Sequence, residues 1–173
     1  MPLTLIKEDG TGKVDANAYA NAADGDAYHD GHLYASAWTA ATTGNKEKAL
    51  VFATRLIDSQ FQFGGAEGKV TQALQWPREG CPDPDAAGGS IASDAVPKAV
   101  VDATCEMARE LLILDRTAAP PGEGLKYQNL APNQVGYDKR DTRPVISHVA
   151  QVMLAKFGSL VKSRGGAVRL VRA

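Results

Sequence analysis

The chain has 173 residues, 44% hydrophobic and 23% charged, which is enough apolar material for one buried core and too much for a disordered polymer. A formal charge of -1 gives no overall attraction to nucleic acid. No apolar run approaches the ~20 residues of a membrane span, MPLTLIKEDG lacks the form of a signal peptide, and Cys81 and Cys105 lack a CxxC spacing, so a cytosolic chain with reduced thiols is expected.

The opening LTLIKEDGTG reads as a short strand-like start running into a Gly-rich turn. In ANAADGDAYHDGHL, Asn21 is a candidate cap with acids in the first turn, which predicts a short helix. The segment TTGNKEKALVFATRLIDSQF puts Leu50, Ala53, Leu56 and Ile57 on one face, an amphipathic helix capped by Thr43 or Asn45. A third helix follows Asp94, with Pro97 in its first turn and Val100, Val101, Thr104, Met107, Ala108, Leu111 and Leu112 as its apolar face up to about Leu114. A fourth follows Pro144, with Ile146, Val149, Val152, Met153, Phe157 and Leu160 at helical spacing.

Residues 61–92 read as a long loop, because CPDPDAAGG cannot hold regular structure. Residues 117–144 leave room for an extended pass around KYQNL or QVGYD, and GGAVRLVRA suits an edge strand or an extended tail. The expected fold is therefore mainly α and four-helix bundle-like, in a single domain spanning residues 1–173. It carries a long extended loop, short β segments near the termini and before the last helix, and a basic C-terminal arm at residues 162–173.

Motifs of chemistry are incomplete. GTGK at residues 10–13 has Lys7 where a phosphate-binding loop needs Gly and Val14 where it needs Ser or Thr. Asp24, Asp26, His29, Asp30 and His32 are metal-ligand types, yet Tyr28 and His29 stand where a calcium loop needs an oxygen ligand and a glycine. GGSIA fails the nucleophile elbow at Ala92, SLVK (residues 159–162) lacks companion elements, and His148 beside Ser147 lies along an apolar face. No catalytic, cofactor-binding or metal site is expected.

Charge is unevenly spread: residues 1–30 hold Glu8, Asp9, Asp15, Asp24, Asp26 and Asp30 against Lys7 and Lys13, whereas Lys156, Lys162, Arg164, Arg169 and Arg172 meet no acid after residue 155. The basic end, mixed with Val168, Leu170 and Val171, suits a docking arm toward DNA or an acidic protein surface. Trp76, with Pro77 and Arg78, either covers the core from a loop or anchors an interface, where Trp and Arg are enriched.

The blocks EDGTG, ANAYANAADGDAYHDGH, Trp38, KEKALVFATRLID, QALQWPREG and VPKAVVDATCEMARELL resemble, in order, the head-tail connector (adaptor) proteins of tailed bacteriophages, many of which carry the label "DnaT-like single-stranded DNA-binding protein". Val135–Gly136 and RPVISHVAQVMLAKF resemble the later parts of such connectors more loosely. The resemblance implies a structural subunit of the phage neck, made in the host bacterial cytoplasm and incorporated in the virion. It would form a homo-oligomeric ring, commonly a dodecamer, between portal protein and tail or stopper protein. Genomic DNA would pass through its channel without sequence-specific binding, and no cofactor, membrane or enzymatic step is implied. On that reading Trp76, Pro77 and Arg78 lie at the subunit interface, and Lys162, Arg164, Arg169, Leu170 and Arg172 dock on the portal. The alternative is the literal label, a single-stranded DNA-binding replication accessory protein. That role wants a basic groove with exposed aromatics, whereas aromatics are only 6% and no basic stripe coincides with Tyr19, Tyr28, Trp38 or Trp76.

Overall fold

The computed structural model describes residues 3–119, 126–130, 133–136 and 143–161. Among them are five helices, α1 (Ala22–Asp30), α2 (Ser36–Thr39), α3 (Thr43–Gln60), α4 (Lys98–Ile113) and α5 (His148–Leu154). Six short strands accompany them: β1 (Phe61–Phe63), β2 (Ala66–Glu67), β3 (Arg78–Glu79), β4 (Tyr127–Leu130), β5 (Asn133–Gly136) and β6 (Gly158–Leu160).

Helix starts follow local hydrogen-bonding chemistry. Asn21 Oδ1 accepts the Asp24 N–H at 2.9 Å while Asp24 Oδ2 accepts the Asn21 N–H at 2.8 Å, a reciprocal capping box at α1. At α3 the cap is Thr42, one residue before the expected Thr43, and its hydroxyl accepts from Asn45 N at 3.3 Å. Pro97 is the N-cap of α4, just outside the helix. Amphipathic spacing then sets the packing. Leu50, Ala53, Leu56 and Ile57 of α3 and Val100, Ala103, Met107 and Ala108 of α4 are buried, and α4 touches α1, α2, α3 and α5.

The architecture is a small mixed fold, and the four-helix bundle expectation does not hold. The fourth expected helix stops at Leu154 because the chain turns to pair with β1: Phe61 faces Leu160 and Phe63 faces Gly158, antiparallel. The Gly64 N–H donates to the Phe157 carbonyl at 2.8 Å, and any side chain at position 158 would collide with the Gln62 carbonyl. Val149 and Val152, expected on the apolar face, are exposed. Helix α2, which the sequence reading passed over, is a single turn that buries Trp38.

Two further antiparallel ribbons, β2–β3 and β4–β5, complete the described structure. In the second, Tyr127 pairs with Gly136 and Leu130 with Asn133, so both expected extended segments are strands of one hairpin. The region 61–92 is only partly loop-like. Phe61, Phe63, Leu74, Trp76 and Cys81 lie in the core, whereas residues 84–90 are exposed, closed by Asp83 N donating to Gly89 O at 3.0 Å and by a Pro82–Ser90 bridge. At the other end of the chain, the strand-like start makes a single parallel bridge, Lys7 to Ala18.

Candidate nucleic-acid interface

The stretch Gln72–Arg78 is a clasp inside the chain. Trp76 is 0% exposed and packs edge-on against Phe63 and Phe157, so its ring has no surface to offer a neighbour from this conformation. The Arg78 guanidinium donates to four carbonyls: Gly64 at 2.7 Å, Gly65 at 2.9 Å, Gln75 at 3.1 Å and Phe63 at 3.3 Å. A planar fork with five N–H groups suits this convergence, which a lysine could not match. The Gln72 side chain adds bonds to the Leu74 and Pro77 carbonyls, and the Trp76–Pro77 peptide is cis. Thus Trp76, Pro77 and Arg78, expected at a subunit interface, hold this chain's own turn.

Behind that turn, Tyr19 Oη donates to Asp58 Oδ1 at 2.5 Å and accepts the Trp76 N–H at 3.2 Å, while the Gln75 N–H donates to Asp58 Oδ2 at 3.2 Å. Burial raises the Asp58 carboxyl to about 6 against the opposing pull of these donors. Burial, then the Asp58 charge, pushes the Tyr19 hydroxyl well above its usual range.

The residues that tempted a catalytic or metal reading have structural work. Backbone N–H groups of the GTGK turn converge on an anion, as in a phosphate loop, but the anion is Glu8. Its Oε1 accepts from Gly10 and Gly12, each at 2.9 Å, and its Oε2 accepts from Lys13 at 2.8 Å. The positive φ of Gly10 (100°) and Gly12 (68°) permits this wrap. Asp24 caps α1 and pairs with Lys7 at 2.7 Å, and Asp26 accepts from Lys46 at 2.7 Å and Trp38 Nε1 at 2.8 Å, contacts that lower its pKa. His29 is buried, with Nε2 3.1 Å from the Cys105 carbonyl, and desolvation lowers its pKa. Burial lifts both thiols, Cys105 to about 12, and Ser147 accepts the Ala150 N–H as the α5 cap. Among the described residues no three His, Cys, Asp or Glu side chains are placed to hold a metal ion, and no helix is long and apolar enough to cross a membrane.

Of the thirteen Lys and Arg among the described residues, seven are neutralised in place, while Lys69, Lys126 and Arg143 are exposed without an ion pair. Lys7, Lys13, Lys46, Lys98, Arg109, Arg116 and Lys156 each face a carboxylate within salt-bridge distance. Lys48 and Arg55 form no ion pair among the described residues, and both are exposed on α3. Phe52 lies between them with 38% of its surface in solvent, and Ser59 continues the line at positions 48, 52, 55 and 59. These i, i+4, i+7 and i+11 spacings place the four residues on one helix face. At the end of that helix the Val161 N–H donates to the Gln60 carbonyl at 2.7 Å. Lys162, Arg164, Arg169, Leu170 and Arg172, the expected docking arm, lie outside the described residues, as does GGAVRLVRA.

This exposed stripe was written in KEKALVFATRLID. The apolar periodicity of the segment marks only its buried face, and Phe52 stands between two cations on the opposite side.

A family model described as "Putative DnaT-like ssDNA binding protein" matches residues 3–173. No match was found among curated proteins or among solved structures. The family match overturns the head-tail connector reading: it names DNA binding, and it gives no support to a ring, a portal contact or a tail partner. Nearly the whole length of the sequence is covered, and the chain belongs to the DnaT-like single-stranded DNA-binding family.

Proposed function

We propose that the protein binds single-stranded DNA as a replication accessory factor and acts by binding alone, without a chemical step. The observation that carries this reading is the family match over residues 3–173. Its physical requirement is positive charge left free for phosphates, since counterion release supplies most of the affinity for a nucleic-acid backbone. A net charge of -1 removes any long-range pull by the molecule as a whole. Local cations must then do the binding, and strong salt dependence follows. The non-catalytic part is supported by the occupation of groups that chemistry could have used. Glu8 is held by three N–H donors, Ser147 caps a helix, and burial keeps Cys105 protonated with a pKa of about 12.

The test is fluorescence anisotropy of a labelled oligothymidine titrated with purified protein at low and at physiological salt. A saturable rise that weakens with salt is expected. A flat titration at micromolar protein in low salt refutes the proposal.

A further inference from the structure

We infer that the solvent face of α3 is the contact site for an unpaired nucleic-acid strand, with a base stacked on Phe52 and phosphates held by Lys48 and Arg55. The inference rests on the single-stranded DNA-binding reading and locates it. Three observations converge. First, Lys48 and Arg55 are exposed and unpaired among the described residues, while seven other described cations are spent on carboxylates. Second, Phe52 stands between them and 38% exposed, although the buried side of the same helix is filled by Leu50, Ala53 and Ile57. Third, the acids of α3 leave the stripe open: Asp58 turns inward to Tyr19 and Gln75, and Glu47 is half-buried off the line.

The chemistry matches one ligand class. Lys48 and Arg55 are seven residues apart, about 10 Å along the axis, so their long side chains bracket the ring. A phenyl face flanked by an ammonium and a guanidinium offers stacking to a base and charge to the phosphates on either side of it. A duplex keeps its base faces stacked within the helix and cannot use the ring, so the site selects an unpaired strand. Base stacking is tolerant of sequence, and no side chain on the stripe reads base edges bidentately except Arg55. Sequence preference is therefore weak.

The experiment measures anisotropy of labelled oligothymidine and of a duplex of equal length with the full-length wild type and with Phe52→Ala, Phe52→Tyr, Lys48→Ala/Arg55→Ala and Lys162→Ala/Arg164→Ala/Arg169→Ala/Arg172→Ala. Far-UV circular dichroism and the unfolding midpoint are recorded for each. Phe52→Ala is expected to weaken strand binding about tenfold, as loss of one stacked base does, and to narrow the gap between strand and duplex. Phe52→Tyr keeps the wild-type affinity. The double variant at Lys48 and Arg55 reduces the slope of log K against log salt by about 1.4, the contribution of two phosphate contacts on a single strand. Wild-type affinity in all the α3 variants, with binding lost only in the C-terminal variant, overturns the α3 site and leaves the broader reading standing. Absence of strand binding by the wild type overturns both.

Discussion

Glu8 offers the sharpest test of how the N-terminal turn is held. The carboxylate is 1% exposed and accepts three backbone N–H groups at 2.8 to 2.9 Å. A hydrogen bond to a charged group contributes about 1.5–3 kcal/mol net, and a buried donor left unpaired costs a similar amount. Glu8→Gln can keep an oxygen on Gly10 and Gly12, but it then presents an amide N–H to the Lys13 N–H. One bond and the charge are lost, a destabilisation of about 2–3 kcal/mol. Glu8→Ala strands all three donors, and with partial relaxation of the loop the cost is about 4–6 kcal/mol. For a chain of this size each kcal/mol moves the midpoint by about 2–4 °C, so Glu8→Gln should unfold about 4–12 °C lower. Urea titration and thermal melts at 222 nm measure both. Glu8→Ala within about 0.5 kcal/mol of wild type, the range of an ordinary surface substitution, would refute the claim that the carboxylate organises the turn.

Asp58, with its pKa raised to about 6, is more readily protonated in the folded chain than in the unfolded one. Its stabilising contribution is full below the unfolded value of 3.8 and lost as pH rises through about 6. Wild type should therefore gain about 2 kcal/mol over Asp58→Asn as pH falls from about 7 to about 4, read from urea midpoints, and a constant gap would exclude this. Arg78→Lys should cost about 2 kcal/mol, because an ammonium cannot serve four carbonyls arranged for a fork; an unchanged urea midpoint would count against the clasp. Gly25→Ala places a methyl group on the Trp38 ring and should cost about 1–3 kcal/mol. It should also alter Trp38 fluorescence by breaking the 2.8 Å bond to Asp26, and an unperturbed spectrum would contradict the packing.

Long periodic segments were legible in the sequence because burial on one side of a helix repeats with the helix itself. The amphipathic spacing of α3 and α4 and the Asn21 cap are found where residue chemistry puts them. The α5 region misled for a physical reason. Phe157 and Leu160 continue a helical spacing, yet strand pairing with Phe61 and Phe63 offers those residues another way to bury, and no local pattern reports a partner almost a hundred positions away. Single-turn α2 is too short for periodicity to register. Of the candidate interface, Lys48, Phe52 and Arg55 were visible as a spacing. Their freedom from ion pairs was not, because pairing can come from a residue remote in sequence, as it does for Lys7 with Asp24, Lys46 with Asp26 and Lys156 with Asp85.

The Arg78 clasp bears on how kinship should be read in chains of this kind. Its glutamine, tryptophan, proline and arginine are the most recognisable letters in the sequence, and all of them are buried, Gln72 and Arg78 on main-chain oxygens and Trp76 against aromatic neighbours. Shared possession of such a signature transmits a backbone geometry between proteins. Occupancy of the outer surface is free to diverge beneath an unchanged signature.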